Sequence, residues 1–237
     1  MCNKNFSIIF SRYVHVISVL YVKIYIYMAI KKIIAFGSAK GGVGKSSITA
    51  SIAISLSKKC KVGILDADIY GPNQNILFSI KEKPIIKNKL IKPIIKNNIE
   101  ITSMGLILEN DIAATWRGPM LSGAIKQLIH STDWGELDYL LIDMPPGTGD
   151  AYLTIFNELE VDNFVIINTN HILSLADSNR TISMLNKLNV NILGYIENNI
   201  FNADKKTIKF FETNGINKLA TYSFHERIYN FDPRIYL

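Results

Sequence analysis

The apolar run Ile33-Ile34-Ala35-Phe36 leads within four residues into Lys40-Gly41-Gly42-Val43-Gly44-Lys45-Ser46-Ser47, and no other stretch limits the fold of this chain so tightly. A strand, a glycine-rich turn and a helix in that order form the loop that cradles nucleotide phosphates. Glycines at 41, 42 and 44 let backbone N–H groups approach phosphate oxygens with no Cβ in the way. Lys45 has the reach for the β- and γ-phosphates, and the Ser46 hydroxyl is a group that ligates Mg²⁺. With Ala39, Val43 and Ser47 the expected nucleotide-binding loop runs from 39 to 47. The general Walker A pattern asks for glycine where Ala39 stands and does not require Lys40, which is therefore an additional cation beside the phosphates. These residues predict an ATPase or GTPase.

Such an enzyme needs carboxylates beyond the loop, to hold Mg²⁺ through its waters and to orient the attacking water. Two strand ends supply them. Val62 to Leu65 is a short apolar strand ending in Asp66-Ala67-Asp68, and Tyr139-Leu140-Leu141-Ile142 is the run of a strand buried on both faces, ending in Asp143. All three aspartates are expected at the carboxyl edge of a parallel sheet, where α/β folds bind ligands. Asp143 is followed by Met144-Pro145-Pro146-Gly147-Thr148-Gly149-Asp150, a rigid turn in which the Gly147 N–H is suited to sensing a γ-phosphate.

The remaining pattern alternates. Ile48, Ile52, Ile54 and Leu56 line a helix opened by the loop, Ile99 to Thr102 reads as a strand, and Met120 to Ile129 as a helix. Strands at Phe164 to Ile167 and Ile192 to Ile196 flank a helix from about Ser174 to Leu188. The order argues for a doubly wound, mostly parallel α/β sheet. Lys83-Pro84-Ile85-Ile86-Lys87-Asn88 recurs as Lys92-Pro93-Ile94-Ile95-Lys96-Asn97, too short a repeat for a solenoid; its prolines suggest edge structure or a loop.

At 237 residues and 48% hydrophobic, the chain suffices for one domain with a full core. Its net charge of +6 is scattered among Ile and Asn rather than gathered into a basic face, and Lys205 to Phe211 is too short to make the case for a C-terminal amphipathic basic helix of the membrane-binding kind. Neither nucleic acid nor membrane is expected as a partner. Cys2 and Cys60 are the only cysteines, which excludes a disulfide framework or a Cys-x-x-Cys site within one chain and points to a reducing, cytoplasmic setting. His130 and His171 stand alone, without metal-ligand spacing. Residues 1–27 carry no acidic side chain, and the uncharged run between Arg12 and Lys23 is too short to span a bilayer. They are read as an N-terminal extension ahead of a P-loop domain over 28–237 whose first strand is Ala29 to Phe36; an organellar transit peptide is the alternative.

Taken together, the motifs resemble one family, the Mrp/ApbC iron–sulfur cluster carrier ATPases, within the MinD/ParA (SIMIBI/MinD-like) class of P-loop NTPases. The resemblance rests on KGGVGKSS at 40–47, DADIYGPN at 66–73, SMG at 103–105, WRGPM at 116–120, DWGELDYLLIDMPPGTGD at 133–150 and GYIENN at 194–199, and fades toward Phe231-Asp232-Pro233. It implies an ATP-hydrolysing carrier or scaffold that matures iron–sulfur proteins, works as a homodimer with ATP and Mg²⁺, and meets apo iron–sulfur proteins and the cluster-assembly scaffold. It also implies a deviant Walker A loop in which Lys40 reaches the partner subunit's phosphates, Lys45 and Ser46 on phosphate and Mg²⁺, and Asp66 and Asp143 assisting at Mg²⁺. Asp68 would position the hydrolytic water and Asn198 would read adenine. Family members often carry a Cys-x-x-Cys soon after the Glu-Asn segment, where a dimer can hold a [4Fe–4S] cluster with four thiolates. Here Asn199 to Lys206 contains no cysteine, so the usual cluster ligands are missing, and Cys60 is read as a small core hydrophobe. Trp116-Arg117 is either a core aromatic beside a surface charge or a dimer or switch contact. Two other functions stay open beside the carrier: a MinD/ParA-type positioning ATPase, and a degenerate carrier that keeps nucleotide binding without a cluster.

Overall fold

The structure, a computed structural model, describes residues 26, 28–107, 118–169, 172–199 and 205–223. Trp116, Arg117, His171, residues 200–204 and Phe231-Asp232-Pro233, like almost all of the 1–27 extension, lie outside the described residues.

Alternating side chains build the sheet. In β1 (Ile33–Gly37), Ile33 and Ala35 face one core cluster while Ile34 and Phe36 face the other; in β7 (Tyr139–Asp143), Leu140 and Ile142 oppose Leu141 in the same way. Two-sided burial of this kind requires helices on both faces of a parallel sheet. One face is covered by α1 (Lys45–Leu56) through Ile48, Ile52 and Leu56. The other is covered by α3 (Pro119–Ser131), α4 (Asp150–Glu158) and α5 (Ile172–Lys187), through Ile125, Leu128, Tyr152, Ile155, Ile182 and Leu185.

The remaining elements are β2 (Val62–Asp66), the short α2 (Gln74–Leu77), β3 (Ile86–Lys87), β4 (Leu90–Ile91), β5 (Ile94–Lys96) and β6 (Ile99–Ser103) in the first half. In the second are β8 (Asn163–Thr169), β9 (Ile192–Asn199), α6 (Lys205–Thr213) and β10 (Lys218–Ser223). The main sheet has eight strands in the order β10-β9-β8-β1-β7-β2-β6-β5. Every pairing is parallel except β5 with β6, so the expected doubly wound α/β fold is present. The chain leaves β1 for β2 and later inserts β7 between them, while β8 pairs on the other side of β1. This divergence of connections opens a crevice at the carboxyl ends of the strands.

Two expectations need correction. The first strand does not begin at Ala29 but at Ile33, because Met28 and Ala29 are helical, Ile30 makes only an isolated bridge to Leu137, and the exposed Lys31 pairs with Asp138 at 2.8 Å. Ile26 packs into the core at 3% exposure, so a side chain ahead of Met28 is part of the fold. The Lys-Pro-Ile-Ile-Lys-Asn repeat is more regular than its prolines suggest. Each copy supplies the outgoing strand and first turn residue of a hairpin, closed by Asn88-Lys89 (φ 53° and 66°) and Asn97-Asn98 (φ 51° and 61°). Two consecutive positive φ values mark the type I′ turn that suits the twist of paired strands.

Candidate nucleotide and magnesium site

Gly44 takes φ 89° and ends the loop as the N-cap of α1, with no side chain capping the helix. The first-turn N–H groups of α1 therefore point toward the crevice, an anion site by construction. Val43 is buried among core side chains and pins the loop, while Gly41, Gly42, Gly44, Lys45, Ser46 and Ser47 line a cleft of about 400 Å³. Its other wall comes from Asp68, Gly71, Asn73, Ile76, Leu77 and Pro146. Ala39 and Lys40 are half-buried at the loop entrance, where the Lys40 N–H donates to Ser38 Oγ at 3.2 Å.

The strand-end aspartates arrive as the sequence spacing implied. Asp66 and Asp143 are register partners on β2 and β7, both fully buried, beneath the loop. Asp66 accepts from Asp68 N–H (3.2 Å), Gln74 N–H (3.2 Å) and Ser103 Oγ (3.0 Å). Asp143 accepts from Gln74 Nε2 at 2.8 Å and from the Ser46 side chain. Burial pushes both carboxyls up: Asp66 well above the ordinary carboxylate range, reinforced by the neighbouring Asp143, and Asp143 to about 6. Asp68 faces the cleft, held by the Gly71 N–H at 3.1 Å, and it too is raised by burial, with Lys45 opposing the shift. Burial lowers Lys45, against the pull of Asp143 and Asp68. An anionic phosphate beside the ammonium would oppose that lowering, because a nearby opposite charge favours the charged form.

A hydrated Mg²⁺ fits these residues. Asp143 Oδ1 is buried with no hydrogen-bond partner, on the carboxylate that the Ser46 side chain also meets, and an oxygen-only donor set is what this hard cation takes.

Three features were not legible beforehand. Gln74, fully buried, ties Asp66, Asp143 and the loop together, its Nε2 also donating to the Ser46 carbonyl at 3.1 Å. The SMG segment serves DADIYGPN: Ser103 holds Asp66 and accepts from Gly105 N–H, and a Cβ on Gly105 would come within 2.6 Å of Pro72. Asn198 sits beneath the loop, not among the cleft-lining residues. Its Nδ2 donates to the Val43 carbonyl at 2.9 Å, and a Cβ on Gly44 would lie 2.4 Å from that nitrogen. The Gly147 N–H is engaged by the Ser38 carbonyl at 3.3 Å.

Outside the crevice, His130 pairs with Glu158 between α3 and α4 at 2.8 Å, a structural contact. Cys60 is half-buried against the core just before β2, at the amino edge of the sheet and thus the opposite edge from the phosphate loop. Among the described residues no three His, Cys, Asp or Glu side chains are grouped to hold a metal, so the Mg²⁺ set relies on Ser46 and water beside its carboxylates. No helix among them is long and apolar enough to cross a membrane.

Comparison with known proteins agrees with this geometry. Residues 29–229 match the family model described as ParA: NUBPL iron-transfer P-loop NTPase. An iron-sulfur cluster carrier protein of Rickettsia conorii is 49% identical over 170 residues, which is 71% of this chain and 53% of that protein. The iron-sulfur protein required for NADH dehydrogenase, mitochondrial, of Arabidopsis thaliana is 45% identical over 172 residues, 71% of this chain and 55% of that one. The chain thus spans little more than half the length of these relatives. A nucleotide-binding protein of Archaeoglobus fulgidus, in complex with ADP, superposes with a TM-score of 0.74 at 30% identity over 87% of each chain. The septum site-determining protein MinD of Pyrococcus horikoshii, complexed with Mg-ADP, shares the fold with a TM-score of 0.63 at 21% identity over 81% of each chain.

Proposed function

This chain belongs to the NUBPL iron-transfer family of ParA-type P-loop NTPases, and from that premise we propose that it hydrolyses ATP with Mg²⁺ and works as a homodimeric carrier or scaffold in the maturation of iron–sulfur proteins. The observation that carries this reading is the convergence of Lys45, Ser46, Asp66, Asp68 and Asp143 on one crevice. Loop N–H groups and Lys45 bind the phosphates. Ser46, Asp66 and Asp143 would hold Mg²⁺, the two carboxylates partly through water, and the ion would supply charge neutralisation for the transferred phosphoryl group. Asp68, fixed by the Gly71 N–H, orients the attacking water, and Lys40 crosses to the partner subunit's phosphates. For Asn198 the geometry favours bracing the loop at Val43 over the expected adenine contact.

The cargo, an iron–sulfur cluster, would pass to apo iron–sulfur proteins from the assembly scaffold in the cytoplasm, or in an organelle if residues 1–27 act as a transit peptide. The names of relatives support the carrier role, and the family match favours it over a positioning ATPase. The absence of cysteine from 199–206 favours, as a second reading, a degenerate carrier that keeps only the nucleotide chemistry. Anaerobic transfer to an apo-ferredoxin from protein reconstituted in the presence of a dithiol, followed by absorbance, separates the two. ATP-dependent transfer is expected; Mg²⁺-ATP hydrolysis without any transfer selects the degenerate reading, and no Mg²⁺-ATP hydrolysis overturns both.

A further inference from the structure

Gln74 is a buried neutral side chain that contacts both the Asp143 carboxylate and the phosphate loop. Its Nε2 donates to Asp143 Oδ2 (2.8 Å) and to the Ser46 carbonyl (3.1 Å), and its backbone N–H donates to Asp66 Oδ2 (3.2 Å). Two acceptors on Nε2 fix the orientation of the amide, because Oε1 in that place would face two oxygens. Oε1 is then left buried without a donor, and so is Asp143 Oδ1 on the same carboxylate that Nε2 holds. An unpaired buried acceptor is destabilising, and two on side chains joined by one hydrogen bond share a remedy: a species that brings several O–H donors at once. The waters of a hydrated divalent cation are such a species.

We propose that Gln74 is an outer-sphere positioning residue for Mg²⁺. Its Nε2 locks Asp143 and the loop while its Oε1 accepts from a water of the hydrated ion. The inference rests on the nucleotide reading above and deepens it, because Gln74 opens α2 directly after the 68–73 segment that carries Asp68. Arrival of the metal is thereby felt by the segment that orients the attacking water.

The chain has only two glutamines, Gln74 in the site and Gln127 exposed on α3, so selective ¹⁵N-glutamine labelling yields two side-chain amide pairs. In the full-length ADP complex, adding Mg²⁺ is expected to shift the pair that disappears in Gln74→Met, and sub-stoichiometric Mn²⁺ to broaden it, with the Gln127 pair unmoved. In calorimetry Gln74→Met, close in volume, is expected to bind ADP in EDTA within about twofold of the parent but to lose about tenfold in Mg²⁺ affinity, the scale of lost outer-shell partners. A Gln74 amide indifferent to both cations overturns the proposal, whether or not the variant folds. So does unchanged Mg²⁺ affinity in Gln74→Met, or a parallel loss of ADP affinity in EDTA, which would make Gln74 a structural brace only. If the parent itself binds no Mg²⁺-ADP, the nucleotide reading falls, and this inference with it.

Discussion

At Asp143 the demands of stability and function oppose each other. Burial holds its carboxyl at about 6 against an ordinary 3.8, so over that window the native state keeps a proton that the unfolded chain has released. Stability from this group is therefore full at low pH, falls as pH rises from the ordinary value through about 6, and stays lost above. The expected size is on the order of 1–3 kcal/mol. Asp143→Asn should flatten that slope in urea melts of the ligand-free protein, raise its stability at pH 7, and abolish Mg²⁺-dependent nucleotide binding; a slope unchanged by the substitution would assign the pH dependence elsewhere. The two loop lysines divide differently. Lys45→Ala should remove most ATP affinity, whereas Lys40→Ala should keep binding and lose hydrolysis and ATP-driven dimerisation, and equal loss of binding in both would end the trans assignment. Asp68→Asn should bind Mg²⁺-ATP and turn over roughly 10²-fold more slowly, with wild-type turnover shifting the role to another aspartate. Most of this site was legible because phosphate chemistry dictates residue types at fixed spacing. Gln74 was not, since a glutamine after a motif has no chemical signature until strand register brings Asp66 and Asp143 together above it. The Val43 contact of Asn198 was hidden for a related reason: its amide can serve a base or a backbone carbonyl, and only the approach of β9 to Gly44 brings it within reach of that carbonyl.

Among the elements, the strands that sequence located best are those buried on both faces, where a short apolar run such as Tyr139 to Ile142, closed by Asp143 and a Pro/Gly turn, is too brief for a helix. The edge was harder. Strands β3 to β6 form two hairpins from one repeated phrase, but the turns are Asn-Lys and Asn-Asn rather than Asn-Gly, so their left-handed backbone gives little signal in the sequence. Asn98→Gly should therefore stabilise the protein by about 0.5–1 kcal/mol in urea melts, because φ 61° is strained for a side-chain-bearing residue and free for glycine. A destabilised variant would mean that the Asn98 side chain supports the turn. The SMG segment illustrates the opposite limit, a motif recognisable in sequence whose physical reason lies wholly in packing. Gly105→Ala would drive a methyl to 2.6 Å from Pro72, and the expected result is a loss of about 1–3 kcal/mol together with slower turnover, since Pro72 and Asp68 share one loop.

For the molecule as a whole, the sheet assigns its two edges to different chemistry. The residues proposed to bind nucleotide and Mg²⁺ collect at the carboxyl ends of β1, β2 and β7, whereas Cys60 lies half-buried before β2, at the amino edge. A dimer formed across the nucleotide crevice, as a trans-acting Lys40 requires, would turn the two Cys60 thiols away from the interface. Even side by side they would be two thiolates where a [4Fe–4S] cluster takes four. With Cys2 left aside, any cluster cargo would have to be completed by thiols from a client, a scaffold or a small molecule. Full-length protein with Cys2→Ser, reconstituted anaerobically with iron and sulfide and then desalted, should hydrolyse ATP yet retain far fewer than four irons per dimer. Adding a dithiol or a cysteine-bearing client during reconstitution should raise the retained iron. Retention of about four irons without added thiol, lost on Cys60→Ser, would place the cluster on this chain's own cysteine and require a dimer that joins the amino edges instead.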